Sequence, residues 1–275
     1  MSASEHAPTP TEYISHHLGH LTNLHEKQTS LWDMSYIHYD TIFWSVFCGV
    51  LGSLVMFLVS RKATAGVPGR FQCAVEMLVE MVNNQAKSIV HGNISFIAPM
   101  ALTVFVWVAL MNSMDFLPVD LFHVWVFPAL GINPDIYHRP VATADLNGTL
   151  GIAIGVFVLM IYYSLKIKGV GGFIKELCTA PFGPMMLPAN VALNAVEYAA
   201  KTFSLGMRLF GNMFAGELLF FLIALLGSTT YLMGGIGHLV AGSIWAIFHI
   251  LIVFLQAFIF MVLTLVYMGQ AHEAH

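Results

Sequence analysis

The sequence predicts an all-α integral membrane protein. About five helices embed in the membrane, one more lies on its cytoplasmic surface, and the last two, long and strongly tilted, form a hairpin. Three observations predict this. Only 9% of the 275 residues are charged and 57% are hydrophobic, whereas an ordinary soluble domain is about 25% charged. Five apolar runs are long enough for a bilayer crossing, which takes about 20 residues. The last two runs are far longer than one crossing, and their polar residues fall on helical spacing. Membrane lipid is the expected surrounding. The few charges, formally −4 net, sit in clusters and carry no nucleic-acid signal, so no nucleic acid is expected as a partner.

Residues 1–40 are polar and lack a continuous apolar core, so they are read as an outward-facing tail with no cleavable signal peptide. Residues 41–275 are read as a single membrane domain. The first crossing spans about 41–59, "TIFWSVFCGVLGSLVMFLV". Next, over about 70–90, Phe71, Ala74, Val75, Leu78, Val79 and Val82 follow helical spacing, with Glu76, Glu80, Asn83 and Lys87 on the other side. That pattern suits a helix lying in the membrane surface; a short helix in a soluble loop fits it as well. Further crossings follow over about 94–114, 149–165, 188–227 and 238–270.

Lysine and arginine set the orientation. Arg61, Lys62, Arg70 and Lys87 follow the first crossing, and Lys166, Lys168 and Lys175 follow the third. The opposite side holds only Lys27 and Arg139, with Asp115, Asp120, Asp135 and Asp145 in the outward loop. The N-terminus is therefore expected outside and the C-terminus in the cytoplasm.

The fourth run would make a helix of about 60 Å at 1.5 Å per residue, against a hydrocarbon core of about 30 Å. It must slant steeply or break. Gly206, Gly211 and Gly216 leave a break open, and a hairpin of two slanted helices is the simpler solution. Asn194, Glu197, Lys201, Ser204, Arg208 and Asn212 are three or four residues apart and form one stripe. Lipid offers such a stripe no partner, so it must face water or another protein. Glu217 lies on the opposite face.

With a turn near residue 233, the returning helix brings Gln256 beside Arg208 and His249 beside Glu217. An acid–imidazole pair suits proton passage, because imidazole titrates near neutral pH. Arg208 stays protonated and cannot carry protons. It needs an anion, and no acid of this chain shares its stripe at its depth. The counter-ion is expected on another chain; an internal pair with Asp115 is the alternative.

Cys48, Cys73 and Cys178 show neither metal spacing nor a disulfide framework. The histidines of "SHHLGH" and "HEAH" are read as solvated or interfacial, so no metal and no cofactor is expected. No phosphate-binding glycine loop is present, and the chain itself is expected to bind no nucleotide. A secondary ion transporter or channel remains the alternative function, but no internal repeat supports it.

"SLGMRLFGNMFAGEL" and "WAIFHILIVFLQAFIFMVLTLVY" closely resemble the subunit a family of bacterial F-type ATP synthases, and "KATAGVPGRFQ", "LTVFVWVALMNSMDFLPVD" and "GVGGF" fit it too. The resemblance covers nearly the whole chain except the N-terminal tail and residues 121–140. It implies a non-catalytic, proton-translocating stator subunit in the bacterial inner membrane, set against a ring of c-subunits and the b-subunit peripheral stalk. Each c-subunit carries a membrane-buried carboxylate. Arg208 would be the essential arginine that attracts this carboxylate and blocks a proton short-circuit. Asn212, Glu217, His249 and Gln256 match the inlet half-channel, with Asn112, Asp115 and Asp145 at its mouth; Asp40 and Asp120 match less closely. Ser204, Glu197 and Asn194 would border the outlet. Some relatives carry the outlet acid at the position of Asn194, and Glu197 is expected to replace it.

Overall fold

In the computed structural model, residues 14, 18–23, 35–64, 66–117, 121, 126, 128, 131, 139–227 and 233–272 are described. Six long helices organise them: α1 (Tyr39–Lys62), α2 (Arg70–Ile89), α3 (Ile97–Ser113), α4 (Leu146–Thr179), α5 (Leu187–Gly227) and α6 (Met233–His272). All but α2 are long and apolar enough to cross a membrane. The chain is thus an all-α membrane protein. Asp120 lies outside the described residues.

Local chemistry fixes the helix ends. α1 carries Asp40 in its first turn and Arg61 and Lys62 in its last, the placement that complements a helix dipole. Asp145 caps α4 by accepting from the Asn147 amide at 3.0 Å, satisfying a helix-terminal donor. α4 runs well past the expected end at 165. Its path bends at Gly169, whose φ of 71° is open to glycine at little cost. Lys168 then reaches across the bend to Glu176 at 2.8 Å.

α5 packs between α4 and α6, while α3 packs against α6 and α1. In lipid, apolar side chains gain little by leaving solvent for one another, so close approach and interhelical hydrogen bonds must hold the bundle. Trp107 Nε1 on α3 donates to Ser45 O on α1 at 2.8 Å. Asn112 Nδ2 on α3 donates to Val253 O on α6 at 3.4 Å. One core joins Leu205, Leu209 and Met213 of α5 to Val253, Ala257 and Phe260 of α6. A second joins Val82 and Ala86 of α2 to Met261, Leu265 and Met268 of α6.

α5 is one continuous helix of 41 residues, so the glycine break is not used. Gly206 serves close packing instead: a methyl there would lie 2.8 Å from Leu150 Cδ2 and 3.2 Å from its Cα. At Gly216 a methyl would overlap the His249 imidazole. The whole of α5, about 60 Å long, exceeds a bilayer core of about 30 Å and must slant or project.

Candidate functional site

The hairpin register determines which polar groups meet. Asn212 Nδ2 donates to Gln256 Oε1 at 2.6 Å, and Gly216 lies directly against His249. Both contacts centre the hairpin near residue 233. The finer pairing differs from expectation. Gln256 bonds Asn212, one turn beyond Arg208. His249 approaches Asp115 rather than pairing with Glu217: its Nε2 lies 2.6 Å from Asp115 Oδ2. Asp115 reaches it from the 3-10 turn Met114–Phe116 that ends α3. The contact is close but poorly aligned for a hydrogen bond, since both atoms still lack a properly directed partner. Phe116 and Phe220 stand edge-on to the imidazole, at 5.8 and 5.2 Å between ring centres.

Glu217 is buried on the opposite face from Arg208. Its carboxylate receives Arg139: Nε lies 3.0 Å from both oxygens, and Nη2 bonds Oε2. Arg139 also lies over the Phe214 ring. This arginine was not among the expected site residues, because it sits 78 residues from Glu217 in a non-periodic loop.

Several buried polar atoms here lack hydrogen-bond partners among the described residues. They are Asn112 Oδ1, Asp115 Oδ2, Thr143 Oγ1, both His249 ring nitrogens and Gln256 Nε2. A native interior seldom leaves such atoms unmet, and water is their usual remedy. Most belong to the residues expected at the inlet.

The surroundings of Asp145 are denser than expected. Asp145 Oδ2 meets His38 Nδ1 at 2.7 Å and accepts from Thr41 Oγ1 at 2.8 Å. The bond to Asp145 raises the His38 pKa above the usual imidazole range, against the opposing effect of burial. Burial disfavours the Asp145 charge, but the bonded His38, the nearby His20 and Thr41 outweigh it and lower its pKa. His20, expected to be solvated or interfacial, stacks on His38 with ring centres 4.5 Å apart and planes at 9°. His20 Nδ1 lies 3.4 Å from Asp40 Oδ2, and His20 Nε2 lies 3.2 Å from Arg139 Nη1. His20, His38 and Asp145 bring ligand-type atoms within 4.8 Å of one another. Parallel ring planes, however, cannot aim their in-plane lone pairs at one ion, and Arg139 adds a positive charge beside them. The cluster suits a mobile proton better than a metal.

The other face of α5 is open. Glu197, Ser204, Arg208 and Asn212 are exposed there. Glu197 and Lys201 pair at 2.6 Å. Asn194 departs from the stripe: its Nδ2 donates to the carbonyls of Leu177, Ala180 and Asn190 at 3.0 to 3.2 Å. It thereby ties the end of α4 to α5. Arg208 has no ion pair or hydrogen bond among the described residues.

Comparison with known proteins gives the family. The family model described as ATP synthase A chain matches residues 42–269. The chain is 57% identical to "ATP synthase subunit a" of Acidovorax sp. and 54% identical to that of Paracidovorax citrulli, each over the full length of both chains. It is 49% identical to that of Colwellia psychrerythraea over 97% of each chain. With a match over most of its length and relatives this similar, the chain belongs to the ATP synthase A chain family.

Proposed function

We propose that this chain is the proton-translocating stator subunit of an ATP synthase. It supplies two offset half-channels to the carboxylates of a c-subunit ring. Protons enter from outside past Asp145, Asp115 and Asn112, then Glu217, His249, Gln256 and Asn212. They leave toward the cytoplasm past Ser204 and Glu197, near Asn194. Arg208 separates the two paths and attracts each ionised ring carboxylate in turn. The b-subunit stalk holds the chain against the ring, in a bacterial inner membrane with the N-terminus outside.

The observation that carries this is Arg208 itself: a permanent cation on the exposed face of α5, unmatched within the described chain. A charge in the membrane without a partner costs several kcal/mol. A ring carboxylate supplies the partner and, because it moves on, turns attraction into coupling. The unmet polar atoms on the opposite face support a hydrated inlet. Each proton crossing releases about 2.3 kcal/mol per 100 mV, so several must pass for each remote synthesis event.

In inverted vesicles, Arg208→Ala is expected to abolish ATP-driven proton pumping while the complex still assembles. Coupled pumping in that variant would refute the assignment.

A further inference from the structure

The geometry points to a proton-loading station at the outer mouth, built from the stacked His20 and His38 of the N-terminal segment, with Arg139 as the positioning residue that passes its state to Glu217. This rests on the inlet role of Asp145 and Glu217 proposed above.

The N-terminal segment is fastened over the mouth by its own backbone. Tyr39 N donates to Leu21 O at 2.9 Å and Asn23 N to Ile37 O at 3.3 Å. The Asn23 side chain bonds Ser35 O at 2.6 Å and the Ile37 amide at 2.9 Å. Leu21 N donates to Asp40 Oδ2 at 3.0 Å. These bonds hold His20 against His38. The His38 imidazole borders a cleft of about 1610 Å³, beside Tyr36, Thr41 and Asp145.

Hydrogen-bond logic assigns the protons. Arginine only donates, so His20 Nε2 must accept from Arg139 Nη1. His20 is then neutral, with its proton on Nδ1, 3.4 Å from Asp40 Oδ2 but without a well-directed acceptor. His38 is the ring that holds the extra proton, paired with Asp145. Two stacked imidazolium ions would repel strongly at this separation, so the pair carries one extra proton at a time. Asp40 of α1, Asp145 at the α4 cap, Glu217 of α5 and Asp115 before the outward loop face this region. Arg139, His249 of α6 and Tyr36 beside the cleft complete its charged and titratable groups among the described residues. The carboxylates favour a proton on the imidazoles.

The transfer step is a proton movement alone. A proton from outside water binds His38. The stacked rings offer no in-plane N–H···N path between them, so water carries the proton from His38 to His20 Nε2; that nitrogen then ceases to accept, and its N–H opposes an Arg139 N–H. Arg139 is released toward Asp40 and leaves the Glu217 carboxylate. Water then carries the proton onward: the His20 N–H bond breaks, an O–H bond forms on Glu217, and His20 again accepts from Arg139.

The test uses the whole complex in vesicles with the inlet facing the lumen, with ATP synthesis measured per assembled complex. Lumen pH runs from about 5 to about 8, spanning the imidazole range. His38→Gln and His20→Gln are each expected to lower the rate about tenfold at neutral lumen pH and to recover at about pH 6, a shift of about one pH unit toward acid. The double variant should be no worse than either single one. An unchanged profile, or the same loss at every pH, would overturn the station. Should the variants not assemble, diethyl pyrocarbonate labelling of the unaltered complex decides. Coupled titration of the two rings supports the station, and two independent titrations refute it. Glu217→Gln, run in parallel, separates the two levels. Its loss of synthesis at every lumen pH supports the inlet, whereas normal synthesis would overturn the inlet whatever the histidines do.

Discussion

Arg139 and Arg208 approach α5 from opposite circumstances. Arg139 is 3% exposed, holds Glu217, contacts His20 and lies over Phe214. Arg208 is exposed on the other face and has no ionic partner among the described residues. Both carry a permanent charge. The first is a cation whose partners its own chain supplies. The second is a cation that the described residues leave unmatched. In a membrane, where unmatched charge is costly, that contrast separates a built-in ion pair from the face proposed to meet a partner.

The contrast can be broken at several points. After the complete loss expected for Arg208→Ala, the largest effect should come from Gly216→Leu. The side chain would invade the space of His249, and displacing a relay group by about 1 Å costs on the order of 100-fold in rate. Passive proton flow through the complex measures it; unimpaired flow would show that the position of His249 is unimportant.

Arg139→Ala tests the built-in pair. Removing one partner of a buried ion pair costs about 3 to 5 kcal/mol. Thermal stability of the purified complex should fall accordingly, and Glu217→Gln added to Arg139→Ala should recover much of it. Additive losses in the double variant would mean the two groups do not interact.

Smaller effects should divide Asn194 from Glu197. Asn194→Ala removes three hydrogen bonds to carbonyls and is expected to cost about 1 to 3 kcal/mol in stability, with proton flow per complex preserved. Glu197→Gln breaks an exposed pair that contributes less than about 1 kcal/mol, so stability should hold while proton release slows several-fold. The reverse pattern would move the outlet acid's role to Asn194.

Much of this was legible in sequence. The lengths of the apolar runs gave the crossings, and helical spacing placed Arg208 and Glu217 on opposite faces of one helix. The expected turn near residue 233 returned α6 along α5, but it set His249 against Gly216 rather than in a pair with Glu217, and Gln256 on Asn212 rather than beside Arg208. What was missing came from segments without a period. Arg139 lies in an irregular loop, so no spacing rule links it to Glu217. His20 sits in a polar stretch whose local sequence does not announce that it folds over His38. Asp115 reaches His249 because a 3-10 turn follows α3, and a helical register between α5 and α6 alone favours Glu217. Asn194 fits the stripe by number, but its amide is claimed by carbonyls near the end of α4.

The central claim is that the counter-ion of Arg208 belongs to another chain. Ser204 is exposed one turn from Arg208 on the same face. In the assembled complex, Ser204→Cys should form a disulfide with a cysteine placed beside the ring carboxylate, stopping ATP-driven rotation until a reductant is added. Failure to trap any ring subunit, in a complex that still pumps protons, would contradict the account.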